Sequence, residues 1–176
     1  MARSWHKFMC GAALFVALNA ASAAKPHEHG VAQLDVAVSA SRVVIELDTP
    51  LDNLLGFEHA PRTDAEREKT AAAMARLRDG AALFRLDAAA GCTLLKVELN
   101  SAPLALGKTA AAGGEHGELT ALFEFRCSAG ARAGFLEVGL FDAFPGLKRL
   151  DLQVVTPKGQ IKATLRKPAS RVALAR

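Results

Sequence analysis

The 176-residue chain has no tyrosine, one tryptophan and only 6% aromatic residues. None of its lysines and arginines form a cluster interleaved with aromatics, so the stacking and phosphate-binding surface of a nucleic-acid binder is missing. It has three cysteines and no Cys-x-x-Cys pair, which removes the finger and ribbon types of zinc site. It also lacks a His-Glu-x-x-His helix, a nucleophile elbow and a nucleotide-binding glycine fingerprint, so nothing marks an enzyme. No repeat and no linker divides it. Beyond the first 24 residues there is no long apolar run, so no membrane-spanning helix or stable membrane anchor is expected.

Those first 24 residues read as a secretory signal peptide. Arg3 and Lys7 supply a positive start, an apolar run covers residues 8–18, and Ala21-Ser22-Ala23-Ala24 offers the small residues of a cleavage site. The run is too short to span a bilayer. Cys10 lies inside it without the leucine-rich lead of a lipidation box. Residues 25–176 are then expected to form one exported domain, large enough to bury a core. Without Arg3 and Lys7 the charge is nearly balanced, 20 basic residues against 18 acidic.

Two cysteines remain, Cys92 and Cys127. An exported chain meets an oxidising compartment, where an even cysteine count usually means a disulfide. Cys92 opens one strand-like run and Cys127 closes another, as the open end of an antiparallel hairpin requires. The rival role, as zinc ligands, lacks the paired spacing.

Alternating patterns predict strands at residues 31–39 and 42–48, joined by Ser39-Ala40-Ser41 and ended by Thr49-Pro50. Residues 51–55 suit one helical turn stopped by Gly56. The clearest helix runs over residues 64–78: Thr63 is a good N-cap, Glu66 completes a capping box, and Asp79-Gly80 supplies the stop. Ala73, Met74 and Leu77 give it a modest apolar stripe. Further strands are predicted at residues 83–86, 92–99, 119–126, 134–140, 150–155 and 161–165. The sum is an α+β fold: a mainly antiparallel sheet of about eight hairpin-connected strands with one main helix packed on it.

What the chain does have is histidine in an unusual place. Lys25-Pro26-His27-Glu28-His29-Gly30 follows the cleavage site directly and holds two of the four histidines outside the leader. Residues i and i+2 of a strand share a face, roughly 6.5–7 Å apart, so two imidazoles can lean together around one ion. A third, His59, ends Gly56-Phe57-Glu58-His59, a turn opened by glycine and closed by Pro61. A fourth, His116, sits between acids in the irregular stretch 101–118. Zinc accepts imidazole nitrogen and carboxylate oxygen in tetrahedral geometry. His27, His29 and His59 are the candidate ligands, with Glu58, Glu28, His116 or water for the fourth place. An amino-terminal copper or nickel site is excluded because Pro26 lacks the amide nitrogen that must bind.

His27-Glu28-His29-Gly30-Val31-Ala32-Gln33-Leu34, taken with Thr49-Pro50-Leu51-Asp52-Asn53-Leu54-Leu55-Gly56-Phe57-Glu58-His59-Ala60-Pro61, resembles the ZrgA-like family of zinc-regulated periplasmic proteins. The resemblance covers essentially the whole exported chain. It implies a Gram-negative periplasmic protein that binds Zn2+ and assists a zinc ABC importer in zinc acquisition and homeostasis. It also implies that His27, His29 and His59 carry the metal. Such proteins often carry a long His/Asp/Glu-rich loop; here only Glu115-His116-Gly117-Glu118 remains, which points to a single site. Two other readings compete: a metal-free structural or interaction module of the envelope, and a zinc hydrolase with Glu58 or Glu28 as base.

Overall fold

The structure, a computed structural model, describes residues 28–107 and 117–174. The expected signal peptide, His27 and His116 lie outside the described residues.

The alternating stretch after Gly30 forms β1 (Val31–Val38) and β2 (Arg42–Pro50), an antiparallel hairpin whose register pairs Val38 with Val43 and Gln33 with Asp48. Ser39 closes the turn through its amide and hydroxyl, both donating to the Arg42 carbonyl. Leu34, Val36, Val43, Ile45 and Leu47 face inward and are buried, while Asp35 and Glu46 face solvent. This is the period-2 pattern of a sheet with one wet face.

Helix α1 (Leu51–Leu55) follows at once and ends at Gly56, whose left-handed backbone (φ 73°) returns its N–H to the Asp52 carbonyl. Helix α2 (Asp64–Arg78) begins at the expected cap. Thr63 Oγ1 accepts from the Glu66 amide, and the Glu66 carboxylate accepts from the Arg62 and Thr63 amides. The Arg62 amide first, then the Thr63 amide, holds Glu66 below the usual carboxylate range. Ala73, Met74 and Leu77 are the buried residues of α2. A four-residue helix, α3 (Gly80–Leu83), leads into β3 (Phe84–Leu86).

β4 (Cys92–Asn100) and β5 (Glu118–Cys127) pair antiparallel with Cys92 opposite Cys127, and the two form a disulfide. By the chain-entropy estimate, closing this loop stabilises the fold by roughly 3–4 kcal/mol. A bulge between Leu94 and Lys96 breaks the alternation of β4 and leaves Leu95 exposed. β6 (Phe135–Val138) leads to α4 (Leu140–Ala143), where Phe141 and Phe144 plug the core. β7 (Arg149–Thr156), β8 (Gly159–Arg166) and β9 (Arg171–Ala173) complete the described chain.

The fold is α+β. Among the described residues there are nine strands and four α-helices, of which only α2 is long. Two features go beyond sequential hairpins. The strands divide into a six-stranded sheet, ordered β4-β5-β2-β1-β7-β8, and a three-stranded sheet, β3-β6-β9. Within the larger sheet β1 and β7 run parallel, Val31 beside Arg149 and Leu34 beside Leu152. Local alternation says that a segment is a strand but not which remote strand it joins. The parallel pair places the start of β1 beside the start of β7, at the end of the sheet where α1 begins. No helix among the described residues is long and apolar enough to cross a membrane.

Candidate metal site

His29 sits at the tip of a turn that precedes β1. The Val31 amide donates to the Glu28 carbonyl, and the amides of Lys148 and Arg149 both donate to the Gly30 carbonyl. Gly30 takes a left-handed backbone (φ 83°), which favours glycine, and a β-carbon there would also lie 3.1 Å from the Lys148 side chain. On the other side of the turn lies Asn53, from α1 and 2% exposed. Its Oδ1 accepts from the Gly30 amide, and its Nδ2 donates to the Val31 carbonyl at 2.7 Å and to Thr49 Oγ1 at 3.0 Å. The backbone that carries His29 is thus tied to β7 and to α1.

The His29 ring is itself exposed and lies between two carboxylates. Nε2 is 3.1 Å from Glu58 Oε1, and Nδ1 is 3.5 Å from Asp52 Oδ2. The structure therefore brings together one predicted pair, His29 and Glu58, from segments 29 residues apart. Asp52 was missed from the sequence as a candidate. In a short helix preceding a turn it reads as a favourable first-turn acid, and only the fold turns it toward an imidazole.

Glu28, the alternative fourth ligand, is engaged elsewhere. Arg149 Nη2 donates to its Oε2 at 2.8 Å, while Arg149 Nε donates to Asp151 at 3.2 Å. The Glu28 contact, ahead of the charge of Asp151, raises Arg149 above its ordinary value. Glu28 is thus held on the β7 side by Arg149, while the His29 ring lies against Asp52 and Glu58 on the α1 side.

His59 is adjacent in the chain to Glu58 and half exposed. Its ring stacks on Phe57, with centroids 5.0 Å apart, and its Nδ1 lies 2.9 Å from the Ala60 carbonyl. A carbonyl only accepts, so Nδ1 is the donor here, and in the neutral ring this leaves the lone pair on Nε2 for a metal. Among the described residues no three of histidine, cysteine, aspartate and glutamate are grouped closely enough to hold a metal ion. The cysteines are bridged and take no part. His27 and His116 lie outside the described residues, although their chain neighbours do not: Glu28 is in the turn just described, and Gly117 packs against the backbone of Glu58 so closely that a β-carbon there would fall 2.3 Å from the Glu58 carbonyl oxygen. Gly117 also accepts from the Leu51 amide at 2.6 Å. Glu28 is thus the chain neighbour of His29, and Gly117 lies against Glu58.

Two depressions open elsewhere. One, of about 490 Å³, is lined by Arg76, Asp79, Arg85 and Asp142; another, of about 410 Å³, lies on the solvent face of the large sheet beside Asp35, Asp151 and Lys162. Neither includes His29, Glu58 or His59.

The fold and this pair describe an α+β protein with a surface cluster of imidazole and carboxylate donors. The chain belongs to the ZrgA family of zinc uptake proteins, whose family model, described as "ZrgA family zinc uptake protein", matches residues 26–174. That assigns it a role in zinc uptake, and the family is described by transport rather than by a catalytic activity. No curated protein matches the chain.

Proposed function

We propose that this protein is a periplasmic accessory of zinc acquisition that takes one Zn2+ at the turn carrying His29 and passes it toward a zinc ABC importer. His27 and His59 join His29 as ligands, and Glu58 takes the fourth place, with His116 as its alternative. The observation that carries this reading is the 3.1 Å approach of His29 Nε2 to Glu58 Oε1 in a zinc uptake family. An imidazole nitrogen and a carboxylate oxygen at that separation match two corners of a zinc tetrahedron, whose donors stand about 3.3 Å apart given Zn–N bonds of about 2.0–2.1 Å. The donor chemistry, nitrogen and oxygen without thiolate, suits an ion that must be released again. Export is the role of residues 1–24, and residues 25–176 act as one zinc-binding domain.

Native mass spectrometry of protein purified from the periplasm tests all of this in one measurement. The expected species has lost residues 1–24, retains the disulfide and binds one zinc. Protein without bound zinc after incubation with the ion would refute the site.

One observation favours a second reading. In the described residues His29 is already satisfied by Glu58 and Asp52, as in a metal-free envelope module. Under that reading the melting temperature is the same with zinc and with chelator; under ours zinc raises it, because a ligand bound only by the folded state stabilises that state.

A further inference from the structure

We infer that Asn53 is a positioning residue for the zinc site: it touches no ion, yet it sets where His29 stands. This rests on the zinc reading above and adds a residue to it. A primary amide offers one acceptor and two donor hydrogens. Asn53 uses its oxygen on the Gly30 amide, one residue after His29, and its nitrogen on the Val31 carbonyl and on Thr49 Oγ1.

The register explains why a side chain does this. The paired residues of β1 and β2 begin at Gln33 and Asp48, so β2 offers no partner to the backbone at Gly30 and Val31. Beyond Asp48 the pairing of β2 with β1 stops, and Thr49 and Pro50 pair only with β5 before the chain enters α1. Asn53 stands in for the missing strand, and buried backbone groups left without such a partner are costly. On the opposite side the Gly30 carbonyl takes two amides from residues 148 and 149. With both sides held, the exposed imidazole of His29 projects from a fixed base toward Glu58.

Asn53 is also covered. Its own carbonyl oxygen lies so close to Gly146 that a β-carbon there would fall 2.7 Å from it. The α4–β7 connection thereby packs α1 against the start of β1. The amide is a built part of the turn, bonded through its oxygen and its nitrogen.

The test is calorimetric titration of the exported chain with zinc ion alone. Asn53→Ala is expected to weaken zinc binding by about 10–100-fold, the size typical of groups that orient a ligand from behind. Leu136→Ala, on β6 in the other sheet, destabilises the core without touching the turn and is expected to keep affinity within about twofold. With His29→Ala already in place, adding Asn53→Ala should cost no more than about twofold further, because there is no imidazole left to position. That non-additivity separates positioning from general destabilisation. If Asn53→Ala does not fold, Asn53→Ser replaces it; a hydroxyl can bond Thr49 but is too short to span Gly30 and Val31 together. Wild-type affinity in the folded Asn53 variant, or equal losses with and without His29, overturns the inference. Unchanged binding by His29→Ala overturns the zinc reading itself, so the two failures are told apart.

Discussion

The two described segments that carry histidine are held in different ways. The His29 turn is fixed by tertiary bonds, to β7 through the Gly30 carbonyl and to α1 through Asn53. The His59 segment is fixed locally: His59 bonds its neighbour's carbonyl and stacks on Phe57, and a few residues on Glu66 ties the Arg62 and Thr63 amides into the capping box of α2. One imidazole is placed by the whole fold, the other by its nearest residues. Loss of the contacts to α1 or β7 should therefore reach His29 far more than His59, whereas damage to the cap should reach only His59.

The largest effect expected is the loss of zinc binding when His27, His29 and His59 are all changed to alanine, read by calorimetry; binding that survives removes the proposed ligands. Next is the bridge. Cys92→Ser with Cys127→Ser should cost roughly 3–4 kcal/mol of stability in urea titration and leave zinc affinity unchanged, since neither sulfur is near either histidine segment. An affinity loss as great as that of the triple histidine variant would return the cysteines to the site.

The carboxylates then sharpen the contrast between Glu58 and Glu28. Glu58→Gln is expected to weaken zinc binding by at least about 10–100-fold, the cost of losing even a group that only supports a ligand from behind. Glu28→Gln should change it only a few-fold, because Glu28 is held by Arg149 on the other side of the turn. Equal losses would show that the Arg149 contact opens when zinc binds. Binding to imidazole also releases protons, so affinity should decline as the medium is acidified; a flat profile from pH 7.5 to 5 would argue against histidine ligation.

The smallest effect concerns the local cap. Thr63→Ala should cost about 1 kcal/mol, as for other caps, read in thermal unfolding. Glu66 is depressed in the folded state, so its contribution is present above the unfolded carboxylate value and is lost as pH falls through the lower folded value. Glu66→Gln should accordingly flatten the acid limb of the stability curve.

Much of this molecule was legible before its structure. Thr63 and Glu66 announced the capping box because the motif spans only four residues. The β1–β2 hairpin followed from alternation, and Gly56 marked the stop of α1. Cys92 and Cys127 could be paired because each sat at the matching end of a strand-like run. The site was only half legible. His29 and Glu58 stood out by residue type, but Asp52 and Asn53 did not: in a short helix they read as ordinary polar positions, and nothing local says that an amide will replace a strand. β9 is only three residues long, too short for alternation to mark, and the four residues of α3 are too few for a helical period to appear.

Composition and short-range pattern alone determined the kind of fold, the ends of its main helix, the bridge and the residue types able to bind metal, because each depends on atoms within a few residues or on cysteine chemistry. Which strands became neighbours was decided only by packing, including the parallel contact of β1 with β7. That contact fastens the base of the His29 turn, and Asn53 on α1 completes the hold. Such pairings join segments whose separation leaves no periodic trace in the chain, and they are selected by how the buried faces of the whole sheet fit together.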